Sequence, residues 1–72
     1  MIKTTLTKRE QDTLEAIQSF MKKNHYPPTI KEIGTLINVT STSTVSRFLI
    51  KLEQKGYISR EESKPRSTRL LA

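Results

Sequence analysis

Thr29-Ile30-Lys31-Glu32, directly behind Pro27-Pro28, is a Thr-x-x-Glu capping box, and it fixes where a helix must begin. Ile30, Ile33, Leu36 and Ile37 then recur at helical spacing, which makes that helix short and one-sided. Asn38-Val39-Thr40 interrupts it. Ser41 is suited to cap a further helix whose apolar residues are Val45, Phe48, Leu49 and Leu52. Gly56 fits the left-handed position that closes a helix, and Tyr57-Ile58-Ser59-Arg60 alternates like a strand. Two short helices joined by a turn of a few residues form a helix-turn-helix, the arrangement that offers its second helix to the DNA major groove.

The turn itself carries no glycine. The nearest is Gly34, inside the first of the two helices, where it is expected to allow close helix approach rather than to form the turn. An αα-hairpin from a small bundle would show the same turn. The composition of the second helix argues for DNA instead. It begins Ser41-Thr42-Ser43-Thr44 and continues Ser46-Arg47, and Ser and Thr are mediocre helix formers. Their short side chains hydrogen-bond to phosphates and base edges without holding a groove at a distance.

At about 100° per residue, Val45, Phe48, Leu49 and Leu52 cluster on one side of this helix. The opposite side collects Ser43, Ser46, Arg47, Ile50 and Gln54, with Lys51 at its margin. Arg47, near the middle of that face, is the residue best suited to a bidentate contact with guanine O6 and N7. Ile50 has two equal readings, contact with a thymine methyl or the rim of the core.

The 72 residues suffice for one small domain, 1–72, near the lower limit for a single hydrophobic core. Hydrophobic residues make up 33%, enough for a core with none to spare. With no cysteine, disulfides and Cys-based metal sites are excluded. The lone histidine, His25, precedes Tyr26-Pro27-Pro28 at a helix end and reads as a solvated residue there. No apolar run reaches the length of a membrane span and no secretory segment opens the chain, so a cytoplasmic protein is expected. The net charge of +6, with a sequence pI of about 10.0, suits a polyanionic partner. Residues 1–37 hold six Lys/Arg against four acids, and residues 38–72 hold seven against three, so the excess follows the turn.

Thr7-Lys8-Arg9-Glu10 is a second capping box and starts the first helix of the chain, with Leu14, Ile17, Phe20 and Met21 as its buried stripe and Thr13 and Ala16 alongside. Acids come early in it and lysines late, which complements the helix dipole, and Pro27 requires it to stop by Tyr26. Helices are therefore expected over about 7–25, 29–37 and 41–55. Beyond Arg60, Glu61-Glu62-Ser63-Lys64-Pro65 is turn-forming, and Arg66 to Leu71 returns as a second strand, giving a wing over 57–71. Lys64 and Arg66 flank Pro65 at its tip, a compact basic point for phosphates or a minor groove. The fold class is mainly α with a small β-hairpin, a three-helix winged helix-turn-helix. The residues expected to meet DNA are Thr29, Ser41, Thr42, Ser43, Thr44, Ser46, Arg47, Ile50, Lys51, Gln54, Lys64 and Arg66. No catalytic constellation, Gly-rich phosphate loop or paired apolar carboxylates emerge, so neither an enzyme nor a cofactor is expected.

From about Leu6 to Arg66 the chain resembles the N-terminal DNA-binding domain of the LexA family of SOS repressors. The likeness rests on Leu6-Thr7-Lys8-Arg9-Glu10-Gln11, Tyr26-Pro27-Pro28-Thr29, Glu32-Ile33-Gly34, Ser43-Thr44-Val45, Leu52-Glu53-Gln54-Lys55-Gly56-Tyr57-Ile58 and Lys64-Pro65-Arg66. It implies a three-helix winged helix-turn-helix that binds palindromic operators in double-stranded DNA as a repressor. Family members continue into a self-cleaving domain with a Ser-Lys dyad and an Ala-Gly cleavage site, parts these 72 residues do not contain. The expectation is a module without self-cleavage, either an excised domain or a free-standing relative. Many members carry a histidine-containing segment where this chain has Ser46-Arg47-Phe48, so no relative's target sequence is carried over.

Three functions compete. A sequence-specific repressor module stands first, monomeric in isolation and pairing on DNA. A protein-interaction winged helix, an antirepressor or accessory factor, stands second, since the fold serves both. The exposed face of the second recognition-type helix discriminates them: polar and basic residues favour DNA, and only Ile50 leans toward protein. A winged helix that binds DNA without sequence preference would share the charge and lack base discrimination.

Overall fold

The computed structural model describes residues 5–61, 64 and 66–71. In chain order it holds α1 (Lys8–Asn24), α2 (Ile30–Ile37), α3 (Thr42–Gln54), β1 (Ile58–Ser59) and β2 (Arg69–Leu70). The three helices pack against one another, and α3 also packs against β1. The strands pair antiparallel, Ile58 opposite Leu70 and Ser59 opposite Arg69. The architecture is that of a winged helix-turn-helix, as expected.

Both capping boxes form. Thr7 accepts from the Glu10 N–H at 3.2 Å while Glu10 Oε1 accepts from the Thr7 N–H at 3.1 Å. Thr29 and Glu32 repeat the exchange at 3.1 and 2.8 Å. Ser41 caps α3 by accepting from the Thr44 N–H at 3.3 Å. Each box satisfies amide donors that a helix start would otherwise leave without partners.

α1 and α2 end on non-glycine residues in the left-handed region, His25 with φ 64° and Asn38 with φ 63°. Asn tolerates that region and substitutes for the glycine usual in such a turn. His25 is exposed, and its N–H reaches the Met21 carbonyl at 2.8 Å. Gly56, with φ 83°, follows α3 as its sequence position implies.

The core is Leu14, Ile17, Ile33, Ile37, Val45, Leu49, Leu52 and Ile58, with Phe48 and Met21 packed on its margin. Leu36, read from its spacing as part of the apolar face of α2, is instead 52% exposed. It lies about 100° around the helix from Ile37, and a helix of eight residues buries only the narrow face that Ile33 and Ile37 define. Phe20 is half-buried rather than buried, its ring set edge-on to Tyr26 at 5.5 Å. Glu10 is the converse case: an acid in the first turn of α1 is buried, 6% exposed, and its Oε1 takes the Lys55 ammonium from the end of α3. Lys55 also donates to the Thr5 carbonyl.

The wing is shorter than its alternation implied. Ser67 Oγ accepts from the Glu61 N–H and donates to the Glu61 carbonyl, both at 2.9 Å, which takes those backbone groups out of the strand ladder. Glu62, Ser63 and Pro65 of the expected turn lie outside the described residues.

Gly34 makes the approach of α2 to the turn possible. A Cβ there would stand 2.6 Å from the Val39 carbonyl oxygen and 3.3 Å from Val45 Cγ2. Alanine is the better helix former by about 1 kcal/mol. The clash is with backbone, though, and overpacking of this kind costs about 1–3 kcal/mol. Gly34→Ala is therefore expected to lower the melting temperature by several degrees in thermal unfolding; an unchanged or higher value would mean that the helices are not held this close. A second expectation concerns acid. The Lys55 ammonium, and then the Thr7 N–H, hold the Glu10 carboxyl below the usual carboxylate range. A depressed folded-state pKa contributes stability above the unfolded value and loses it as pH falls through the folded one. Melting temperature should thus decline below the ordinary carboxylate range, and the decline should be shallower in Glu10→Gln, whose failure to differ would remove this pair as a cause.

Candidate nucleic-acid interface

α3 is rotated by its packing. Val45, Leu49 and Leu52 are buried, which turns Ser43, Arg47, Ile50, Lys51 and Gln54 to solvent on the other side. Those five share one exposed face, with Thr42 exposed at its start. Ser46 is half-buried on the flank toward the wing, and Thr44 is half-buried with its N–H spent on the Ser41 cap. Ile50 is 44% exposed and takes no part in the core, so the rim-of-core reading does not hold.

Beside this face lies a cleft of about 500 Å³. Thr29, Ile30 and Lys31 of the α2 start form one wall; Thr42, Ser43 and Ser46 of α3 form another. Arg60, Lys64, Arg66, Ser67 and Thr68 of the wing close it. Hydroxyls and cations therefore converge from three elements on one concavity. Thr29 and Ser41 spend their side-chain oxygens as caps.

The cations divide into two sets. Among the described residues, Lys55, Arg60, Lys64 and Arg66 have carboxylate partners: Glu10, Glu53 at 2.9 Å, Glu61 at 3.3 Å and Glu32 at 2.9 Å. No ion pair among the described residues engages Lys31, Arg47 or Lys51. The basic tip expected of the wing is thus partly neutralised, while the α3 face and the α2 start keep bare charge.

A winged helix-turn-helix with its small polar and cationic residues on the outer face of α3 is matched by the family model for the LexA DNA binding domain, over residues 3–67. The chain belongs to that family. LexA repressors of Bacillus mycoides (strain KBAB4), Bacillus thuringiensis (strain Al Hakam) and Bacillus cereus (strain Q1) are each 46% identical to it over 66 residues. The match covers 92% of this chain and 32% of each relative, so the chain spans about a third of the length of the curated relatives it matches. Among the described residues no helix is long and apolar enough to cross a membrane.

In this LexA-family domain, four polar cleft residues, Lys31, Arg60, Ser67 and Thr68, were not singled out from sequence. Lys31 follows Ile30 and precedes the buried Ile33, so a projection of α2 alone would have turned it outward beside Thr29. Arg60 and Ser67 depend on how the wing folds back, and no local spacing signals that. Ile50 supplies the check on α3 orientation. Ile50→Ala is expected to change stability by no more than about 0.5–1 kcal/mol, the range of an exposed position. A loss of 2 kcal/mol or more in urea unfolding, the cost typical of a core truncation, would return Ile50 to the core.

Proposed function

We propose that this chain is a sequence-specific, double-stranded-DNA-binding repressor module. One observation carries the reading most: Arg47 and Lys51 lie on the exposed face of α3 with no ion pair among the described residues, amid side chains short enough to let the helix into a major groove. Arg47 reads a guanine edge, Ile50 meets a thymine methyl, and Ser43, Ser46 and Gln54 supplement them. Lys51, Thr29, Ser41, Thr42 and Thr44 position the protein on phosphates, with the wing's Lys64 reaching the flank. Arg66, also expected from sequence among the DNA-facing residues, is a wing residue whose guanidinium faces protein. Membership of the LexA DNA-binding family supports the assignment, and the relatives' name supports repression as its outcome.

A single reading helix covers one half-site. The module is therefore expected to be monomeric alone and to pair on an inverted repeat: among the described residues its exposed large hydrophobics, Tyr26, Leu36, Ile50 and Leu71, sit on four different segments, whereas a standard interface needs roughly 800 Å² per partner. Selection of bound sites from random duplex DNA at two salt concentrations tests the reading, with an inverted repeat expected. On that site Arg47→Ala should cost about 1–3 kcal/mol and relax base preference. Lys51→Ala should weaken all duplexes alike and lower the salt slope by about one. Equal loss on selected and random DNA in Arg47→Ala would overturn the assignment of base reading. Recovery of no duplex at all would favour a protein-docking role.

A further inference from the structure

Arg66 does not extend from the wing. Its Nη1 donates to the Pro27 carbonyl at 3.1 Å and pairs with Glu32 Oε1 at 2.9 Å, while Nη2 donates to Glu32 Oε2 at 3.0 Å. The planar fork meets the carboxylate with two parallel bonds, the geometry that makes an Arg–carboxylate pair directional as well as strong. The same guanidinium lies over the Tyr26 ring, 4.7 Å from its centroid. Its backbone is held at φ 55°, a conformation an arginine keeps only where surrounding contacts impose it. Three groups from the α1–α2 connection and the first turn of α2 thus hold one side chain of the wing.

We propose that Arg66 is a positioning residue: through Glu32 it latches the wing to the start of α2 and sets the width of the cleft between wing and α3, without itself contacting DNA. The proposal rests on the DNA-binding reading above. Glu32 Oε1 also accepts the Thr29 N–H at 2.8 Å, so the latch is anchored in the cap that orients Thr29 and Lys31 on the same cleft wall. A wing held at fixed separation meets phosphates flanking the groove without further ordering. A wing free to swing loses that freedom on binding, and affinity falls by the cost of ordering it.

The test compares wild type, Glu32→Gln, Arg66→Gln and the double variant on the selected duplex over a range of salt concentrations. Glutamine at position 32 keeps an oxygen for the Thr29 N–H, so the cap survives, and thermal unfolding verifies it. The latch predicts that each single variant binds about three- to tenfold more weakly, as expected of a partly exposed bidentate pair. The double variant should be no weaker than either, because both remove the same contact. The salt slope of Arg66→Gln should stay at the wild-type value, since a paired guanidinium releases no counterions. Glu32→Gln decides most sharply. If bulk electrostatics alone governed, losing an acid beside DNA would tighten binding. Tighter or unchanged binding in Glu32→Gln, or a salt slope lower by about one in Arg66→Gln, would identify Arg66 as a direct phosphate contact and overturn the latch. Backbone relaxation by NMR gives a readout without DNA: the amides of Lys64, Ser67 and Thr68 should gain mobility in Glu32→Gln, and no gain would count against the latch. Should wild type bind no duplex, the DNA-binding reading fails, while the relaxation experiment still judges the latch.

Discussion

The contact between Gly34 and the Val39 carbonyl governs this molecule. α2 has eight residues and buries only Ile33, Gly34 and Ile37, so it owes its place to the way its backbone meets the turn that follows it. With no side chain at Gly34, Val39 folds back to donate its N–H to the Gly34 carbonyl at 2.8 Å, and Asn38 absorbs the reversal in the left-handed region. That geometry sets where α3 begins and how it is rotated. Which residues of α3 face outward depends on it. The core then locks the choice through Val45 and Leu49, both 1% exposed.

The charge of the chain is less evenly available than its total of +6 implies. Carboxylates hold Lys55 at the end of α3 and Arg60 beside β1, with side chains only 17% and 15% exposed, and these cations serve as fasteners between elements. Among the described residues, those without an ion pair include Arg47 and Lys51 on α3 and Lys31 at the start of α2. The two least exposed paired cations thus join distant elements, while Arg47 and Lys51 face solvent with no ion pair among the described residues. Exposed pairs such as Lys64 with Glu61 are worth little to the fold and leave the lysine available.

Much of this was legible in the sequence, for physical reasons specific to each element. The capping boxes are local: Thr7 with Glu10 and Thr29 with Glu32 need only three residues of separation, so helix starts could be placed to the residue. Helix ends were harder. His25 and Asn38 stop α1 and α2 in left-handed conformations that composition does not announce, although Pro27 and the polar turn bracket them. The rotation of α3 followed from period alone. Leu36 escaped because period does not say how wide a buried face will be. Glu10 and Arg66 escaped because each meets a partner far along the chain, Lys55 and Glu32, and no spacing rule reaches across 45 or 34 residues.

The two capping glutamates share a property that bears on how such a sequence diverges. Each closes a helix start and grips a distant cation with one carboxylate group, so one codon answers to two unrelated demands. Aspartate would shorten the reach, glutamine would keep the cap and weaken the grip, and alanine would lose both. Drift at either site is confined more tightly than the half-buried position of Glu32 suggests. In this chain the fold thus places demands on two acids that a list of surface contacts would not mark.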